Sequence, residues 1–251
     1  MNNFSRIYSA QELKVNDTIT LLSLPMEESI MVPVAWAIDL MKQGQNILYF
    51  TFDHDSIKIN EFFKMALANV PKEETAGITG HLAIIDASQI PEGTSWETFL
   101  KDSIMEVKSE CKLNFVFFDV MDFIKNNQEG LTKTLRDISF MSMFTKIIVN
   151  TSGAPLVTAI QDPKQAEKEA KMLANTTMSE MLLASKKLVE KSSLVLGIKR
   201  EKKSFWKKVI NFLLFWRKRN NFTLKVLKNK NGKKKSYRMN LDMDTSKVEI
   251  L

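Results

Sequence analysis

Apolar residues recur along this chain in two alternating rhythms. Thr18–Leu24, Asn46–Phe52, Leu82–Asp86, Asn114–Phe118, Lys146–Asn150 and Ser192–Ile198 are short, nearly continuous apolar runs. Such runs suit strands buried on both faces of a parallel sheet. Between them lie longer segments with helical spacing: Met31–Lys42, Ile57–Asn69, Ser95–Glu110 and Leu131–Phe144. Gly44 is placed to close the first helix, Val70-Pro71 to stop the second, and Thr94 or Ser95 to open the third. Asp162–Leu183 is polar and reads as an exposed helix or a partly mobile segment. Asn221–Lys228 and Lys235–Leu241 flank Asn231-Gly232, a strong hairpin signal. Strands alternating with helices predict a mainly parallel α/β sheet with right-handed crossovers and a C-terminal β-hairpin. Residues 1–15 read as a lead-in, and residues 16–251 as one domain.

The opening unit, Ile19–Asp53, has the strand-turn-helix-strand order in which a glycine-rich turn can wrap a phosphate. The turn departs from that chemistry. Where a phosphate loop reads G-x-x-x-x-G-K-[ST], this chain has Leu22, Ser23, Leu24, Pro25, Met26, Glu27, Glu28 and Ser29. Both glycines are missing, and only glycine cheaply adopts the angles that turn several amides inward. Glu28 stands where the lysine belongs. At an effective dielectric near 20, a like-charge contact at 4 Å costs about 4 kcal/mol. Pro33 restricts the helix start to near Met31, displacing the amide-rich helix N-terminus from the Ser29 place.

Composition narrows the partners. The 251 residues are 44% hydrophobic and 26% charged, ordinary for a globular chain. No apolar run approaches a membrane span, and no leader pattern is evident, so a cytoplasmic protein is expected. Cys111 is the one cysteine, which excludes an internal disulfide. His54 and His81 are isolated, and no metal site is expected. The net charge of +7 conceals a division. Lys186–Arg238 holds 19 basic and 2 acidic residues, the remainder 17 basic and 27 acidic. An acidic body with a basic C-terminal third implies a polyanionic partner, nucleic acid or anionic lipid.

Three stretches carry a family resemblance. QGQNILYFTFDH is similar to a strand read elsewhere as K-V-L-Y-F-S-L-E-M; NFVFFDVMDFI resembles a Walker B strand; and TLKVLKNKNGKKKSYRMNLDMDTSKVEIL resembles a closing hairpin with K-x-R-N-G. Together they resemble the RecA-like motor domain of DnaB-type replicative helicases, over roughly Val15 to Leu251. The resemblance implies a catalytic-glutamate position at Asp53, a magnesium-associated position at Asp119, and a trans-acting arginine position at Lys230 preceded by Lys228. The S-Q sensor position falls on Thr151-Ser152, so its glutamine is absent. Lysine is a point charge where a planar fork is preferred. Glu28, Ser29, Asp53 and Asp119 therefore read as vestiges of a site that does no hydrolysis. Other readings of these residues stay open: Asp119 as a cap of the next turn, Asp53 with Asp55 as a solvated loop pair, His54 as a surface histidine. Phe115, Phe117 and Phe118 read as core, as do Met141–Met143.

Residues 199–220 depart from the family pattern. As a helix, Phe205, Trp206, Val209, Phe212, Leu213 and Trp216 share an apolar face. Basic runs flank it: Lys199, Arg200, Lys202 and Lys203 before, Lys207 and Lys208 opposite, Arg217, Lys218 and Arg219 after. Residues 205–216 would span about 18 Å, too short for a bilayer. They suit a membrane interface, a partner or subunit groove, or a nucleic-acid face; the family's DNA-facing loops near this region favour nucleic acid or a partner. Lys233, Lys234 and Lys235 of the hairpin turn join the expected binding set.

The function expected is that of a catalytically inactive, helicase-like protein of replication or recombination, borne by a phage or mobile element. It would bind nucleic acid, a protein partner or further copies of itself, with no cofactor. The alternatives are a divergent helicase or ATPase subunit using ATP and magnesium, and a membrane-surface adaptor.

Overall fold

Six parallel strands are laid down first and three antiparallel ones are added at one side. The computed structural model describes residues 4, 7, 13–14, 17–23, 30–51, 56–87, 89–119, 138–161, 189–200, 220–230, 235–242 and 247–251. The strands are β1 (Thr18–Ser23), β2 (Ile47–Thr51), β3 (Leu82–Asp86), β4 (Phe115–Asp119), β5 (Leu156–Gln161), β6 (Leu194–Arg200), β7 (Asn220–Asn229), β8 (Ser236–Asp242) and β9 (Lys247–Ile250). The helices are α1 (Met31–Met41), α2 (Ser56–Ala68), α3 (Lys72–Ala76), α4 (Trp96–Glu110) and α5 (Ile138–Ser152). All nine strands form one sheet in the order β3-β2-β4-β5-β1-β6-β7-β8-β9. Pairing is parallel from β3 through β6 and antiparallel from β6 onward.

Burial explains the two strand types. Every residue of β2 and β4 is buried, because helices cover both faces there. One core lies between the sheet and α1 with α2, including Ile19, Tyr49, Phe117 and Val157, and it continues along β6–β9 through Leu196, Leu224, Met239 and Val248. The other lies under α4 and α5, with Phe50, Phe118, Leu100 and Ile148, and reaches no further than Val195 of β6. All eleven residues of α1 are buried. Pro33 is accepted at its third position, and Gly44, at φ 75°, takes the left-handed conformation that ends its turn. Ser95 caps α4, its hydroxyl accepting from the Thr98 amide.

The structure corrects two sequence readings. Lys146–Asn150 is helix, not strand: it lies inside α5, where Phe144, Ile147 and Ile148 are buried at helical spacing. Gly153, at φ 64°, follows that helix, its amide donating to the Val149 carbonyl. The strand of this unit is β5 instead, inserted between β1 and β4. Thr151 and Ser152 end α5, Ser152 buried, and β5 ends at Gln161. The lead-in also does more than precede the domain. Phe4 and Ile7 are buried in the first core. Phe4 stacks on Trp36 at 5.5 Å and its amide donates to Asp39 at 2.9 Å. The segment 162–183 lies outside the described residues.

Candidate functional site

Parallel strands point one way, so the carboxyl ends of β1, β2, β4, β5 and β6 share a single edge. Ligands of open α/β sheets bind at such an edge. The segments that follow β1, β2 and β4 in the chain begin at this edge. Glu28, Ser29 and Asp53 themselves lie outside the described residues.

Asp119 is described, and its surroundings are informative. It is 1% exposed. The Tyr49 hydroxyl donates to its Oδ2 at 3.4 Å, a long contact, from the neighbouring strand. Tyr49 is fully buried, stacked on Phe117 at 5.9 Å and edge-on to Phe63. Burial first, and then the adjacent Asp119 carboxylate, hold the Tyr49 hydroxyl well above the usual phenol range. It therefore stays a neutral donor. Trp36 meets Phe117 edge-on at 6.2 Å, so an aromatic column runs from Phe4 to the Asp119 end of β4.

Of Glu28, Ser29, Asp53 and Asp119, only Asp119 is among the described residues, and it turns Oδ2 to the buried Tyr49 phenol. Among the described residues no three His, Cys, Asp or Glu side chains cluster as metal ligands. Tyr49 had a legible signal, being the residue opposite Phe117 in adjacent apolar strands, but which strands are adjacent is a tertiary fact.

The basic residues divide. Leu194 of β6 pairs with Asn229, and Arg200 with Phe222. Lys199 and Arg200 thus lie at the carboxyl edge, where the segment 201–219 departs. Lys228, Lys230 and Lys235 lie at the opposite end, around the hairpin turn. The length of β6, about 20 Å, separates the two ends. Lys202, Lys203, Trp206, Lys207, Lys208, Trp216, Arg217, Lys218, Arg219, Lys233 and Lys234 lie outside the described residues. Lys228 Nζ donates to the Glu190 carbonyl at 2.6 Å, while Lys230 and Lys235 are exposed.

Two basic residues not singled out from sequence stand between these ends. In β7, Phe222, Leu224 and Val226 point into the first core; in β8, Tyr237, Met239 and Leu241 do. Strand alternation puts Thr223 and Lys225, with Ser236, Arg238, Asn240 and Asp242, on the other face. Lys225 and Arg238 are exposed there. The alternation was readable in the sequence, once the hairpin was assigned.

No family model matches the sequence, and no curated protein matches it. Solved structures do match in shape. One, described as an ATPase domain, superposes with a TM-score of 0.64 at 9% identity, covering 99% of this chain and 89% of that one. A DnaB-like replicative helicase, described with its interactions with primase, superposes with a TM-score of 0.64 at 8% identity over 99% of this chain. The chain spans 61% of that helicase's length. At such identities the likeness is one of fold. The chain has the RecA-like fold of DnaB-like helicase ATPase domains, a mainly parallel sheet flanked by helices with a C-terminal hairpin. Among the described residues, no helix is long and apolar enough to cross a membrane.

Proposed function

We propose that this chain is a helicase-like protein without ATPase activity, acting in DNA replication or recombination by binding nucleic acid and a protein partner. The observation that carries the reading is Asp119: the magnesium-associated position is buried and engaged by Tyr49. The glycine-free, acid-bearing turn after β1 agrees with it. The basic C-terminal third supplies the attraction for a polyanion. A partner of the replication machinery is in keeping with the DnaB-like neighbour, which interacts with primase.

Calorimetry with ATP and magnesium, with and without single-stranded DNA, tests this. No saturable heat at micromolar nucleotide is expected. Saturable binding would instead establish the divergent-ATPase reading.

A further inference from the structure

We infer that the outward face of β7 and β8 is a track for the sugar-phosphate backbone of a nucleic acid, with Lys225 and Arg238 at its centre. The inference deepens the proposed function and rests on it. Its starting point is what the second core leaves uncovered. That core ends at Val195, and no described residue of β7, β8 or β9 belongs to it. The face is solvent-exposed at Lys225, Ser236 and Arg238.

Register shows how the charges line up. Lys199 pairs with Thr223, and Thr223 with Arg238; Gly197 pairs with Lys225, and Lys225 with Ser236. Lys225 and Arg238 are therefore diagonal neighbours, about 7–8 Å apart at the backbone. The row of Arg238 leads to the carboxyl edge, and that of Lys225 leads toward the hairpin with Lys230 and Lys235. No Asp or Glu occurs between Glu201 and Asp242; the carboxylates on this face, Asp242 at the end of β8 and Glu249 of β9 opposite Asn240, lie on the side away from the hairpin, where Lys247 pairs with Glu249 at 2.7 Å. The hairpin-ward part, from Arg238 to Lys225, is cationic and polar, and attracts a linear polyanion through counterion release, with little sequence preference.

The ground between the cations decides the occupant. Thr223, Ser236 and Asn240 are polar. Among the described residues of β7 and β8, Leu227, 42% exposed, is the one exposed large apolar side chain. Leu227 lies over Gly197, where a built Cβ would stand 2.8 Å from its Cδ1. A lipid interface needs a broad apolar face to insert, which this strip lacks. Phosphate contacts need only spaced cations and hydroxyl or amide donors.

The test uses the full chain and a fluorescent thirty-nucleotide oligothymidylate, with anisotropy followed from about 50 to 300 mM NaCl. Lys225→Gln with Arg238→Gln, both at exposed positions, should leave the thermal melt unchanged. It should weaken binding at least about tenfold at low salt and lower the salt slope by roughly one to two. A matched Lys64→Gln, Lys101→Gln variant on α2 and α4 should change neither. Wild-type binding with an unaltered double variant would overturn the track while leaving the proposed function standing. Absence of wild-type binding to any nucleic acid would overturn both. Loss of phosphatidylserine-vesicle binding by the double variant, with oligonucleotide binding intact, would overturn the track in favour of a lipid surface.

Discussion

The two halves of the sheet use the same strand chemistry to opposite ends. From β2 to β1 the strands are parallel and covered on both faces, and polar side chains are drawn inward: Asp119, Thr51 and Thr158 are all buried. From β7 to β9 the strands are antiparallel and alternate, as in the burial of β9, exposed, buried, intermediate, buried. The first half commits its side chains to packing, Asp119 among them. The second leaves one face exposed at Lys225, Ser236 and Arg238, with Asp242 and Glu249 on the same face toward β9.

The sharpest way to break that contrast is to open the parallel half. Phe117 touches Trp36 and Tyr49 in the aromatic column, and it is 1% exposed. Phe117→Ala should cost about 3–5 kcal/mol, read by urea denaturation. A smaller loss would mean that the column is loosely packed.

Glycines sharpen the same comparison. A Cβ on Gly80 would stand 2.2 Å from the Gln45 carbonyl oxygen, a backbone atom that cannot swing aside. Gly80→Ala should destabilise by about 1–3 kcal/mol, as overpacking does. Gly197→Ala meets only the exposed Leu227 side chain. Its reduced unfolded freedom offsets the displacement, so the net change should stay within about 1 kcal/mol. Equal melting shifts for the two would erase the difference between the halves.

Removing the Tyr49 hydroxyl probes the Asp119 position. Tyr49→Phe takes a donor from a buried carboxylate and should cost about 1–2 kcal/mol near pH 7. The Tyr49 proton is held more tightly in the folded chain than in the unfolded one. Its contribution is therefore complete below the unfolded phenol pKa, about 10, and is lost as pH rises beyond it. The variant should lose stability less steeply than wild type above that pH. Parallel stability curves would show that the hydroxyl does not engage Asp119.

The smallest expected effect is on the open face. Lys225→Gln with Arg238→Gln should shift stability by no more than about 0.5 kcal/mol. A large shift in the denaturation midpoint would mean that this face is packed, contrary to its exposure.

Much of the fold was legible because its signals are local. The unbroken apolar run at Ile47–Phe50, the glycine after α1, the serine before α4 and the Asn-Gly turn are each decided by a few neighbouring residues. The misreading of Lys146–Asn150 shows the limit. Ile147, Ile148 and Val149 are β-branched and adjacent, as in a strand, and only packing of Phe144 and Ile148 against α4 and the sheet makes them helical. Phe4 was set aside for the same reason: nothing in its vicinity announces Trp36 and Asp39, both distant along the chain.

By itself the sequence determined the alternating α/β order, the glycine-free turn after β1, and the concentration of positive charge in the last third. These depend on residue type and spacing along the chain. Tertiary structure alone decided which strands are neighbours. Pairing β2 with β4 brought Tyr49 to Asp119, and pairing β6 with β7, and β7 with β8, separated the hairpin lysines from Lys199 and Arg200 while setting Lys225 and Arg238 between them. The physical reason is that strand order is chosen by burial and hydrogen bonding summed over distant segments, and no local propensity encodes it.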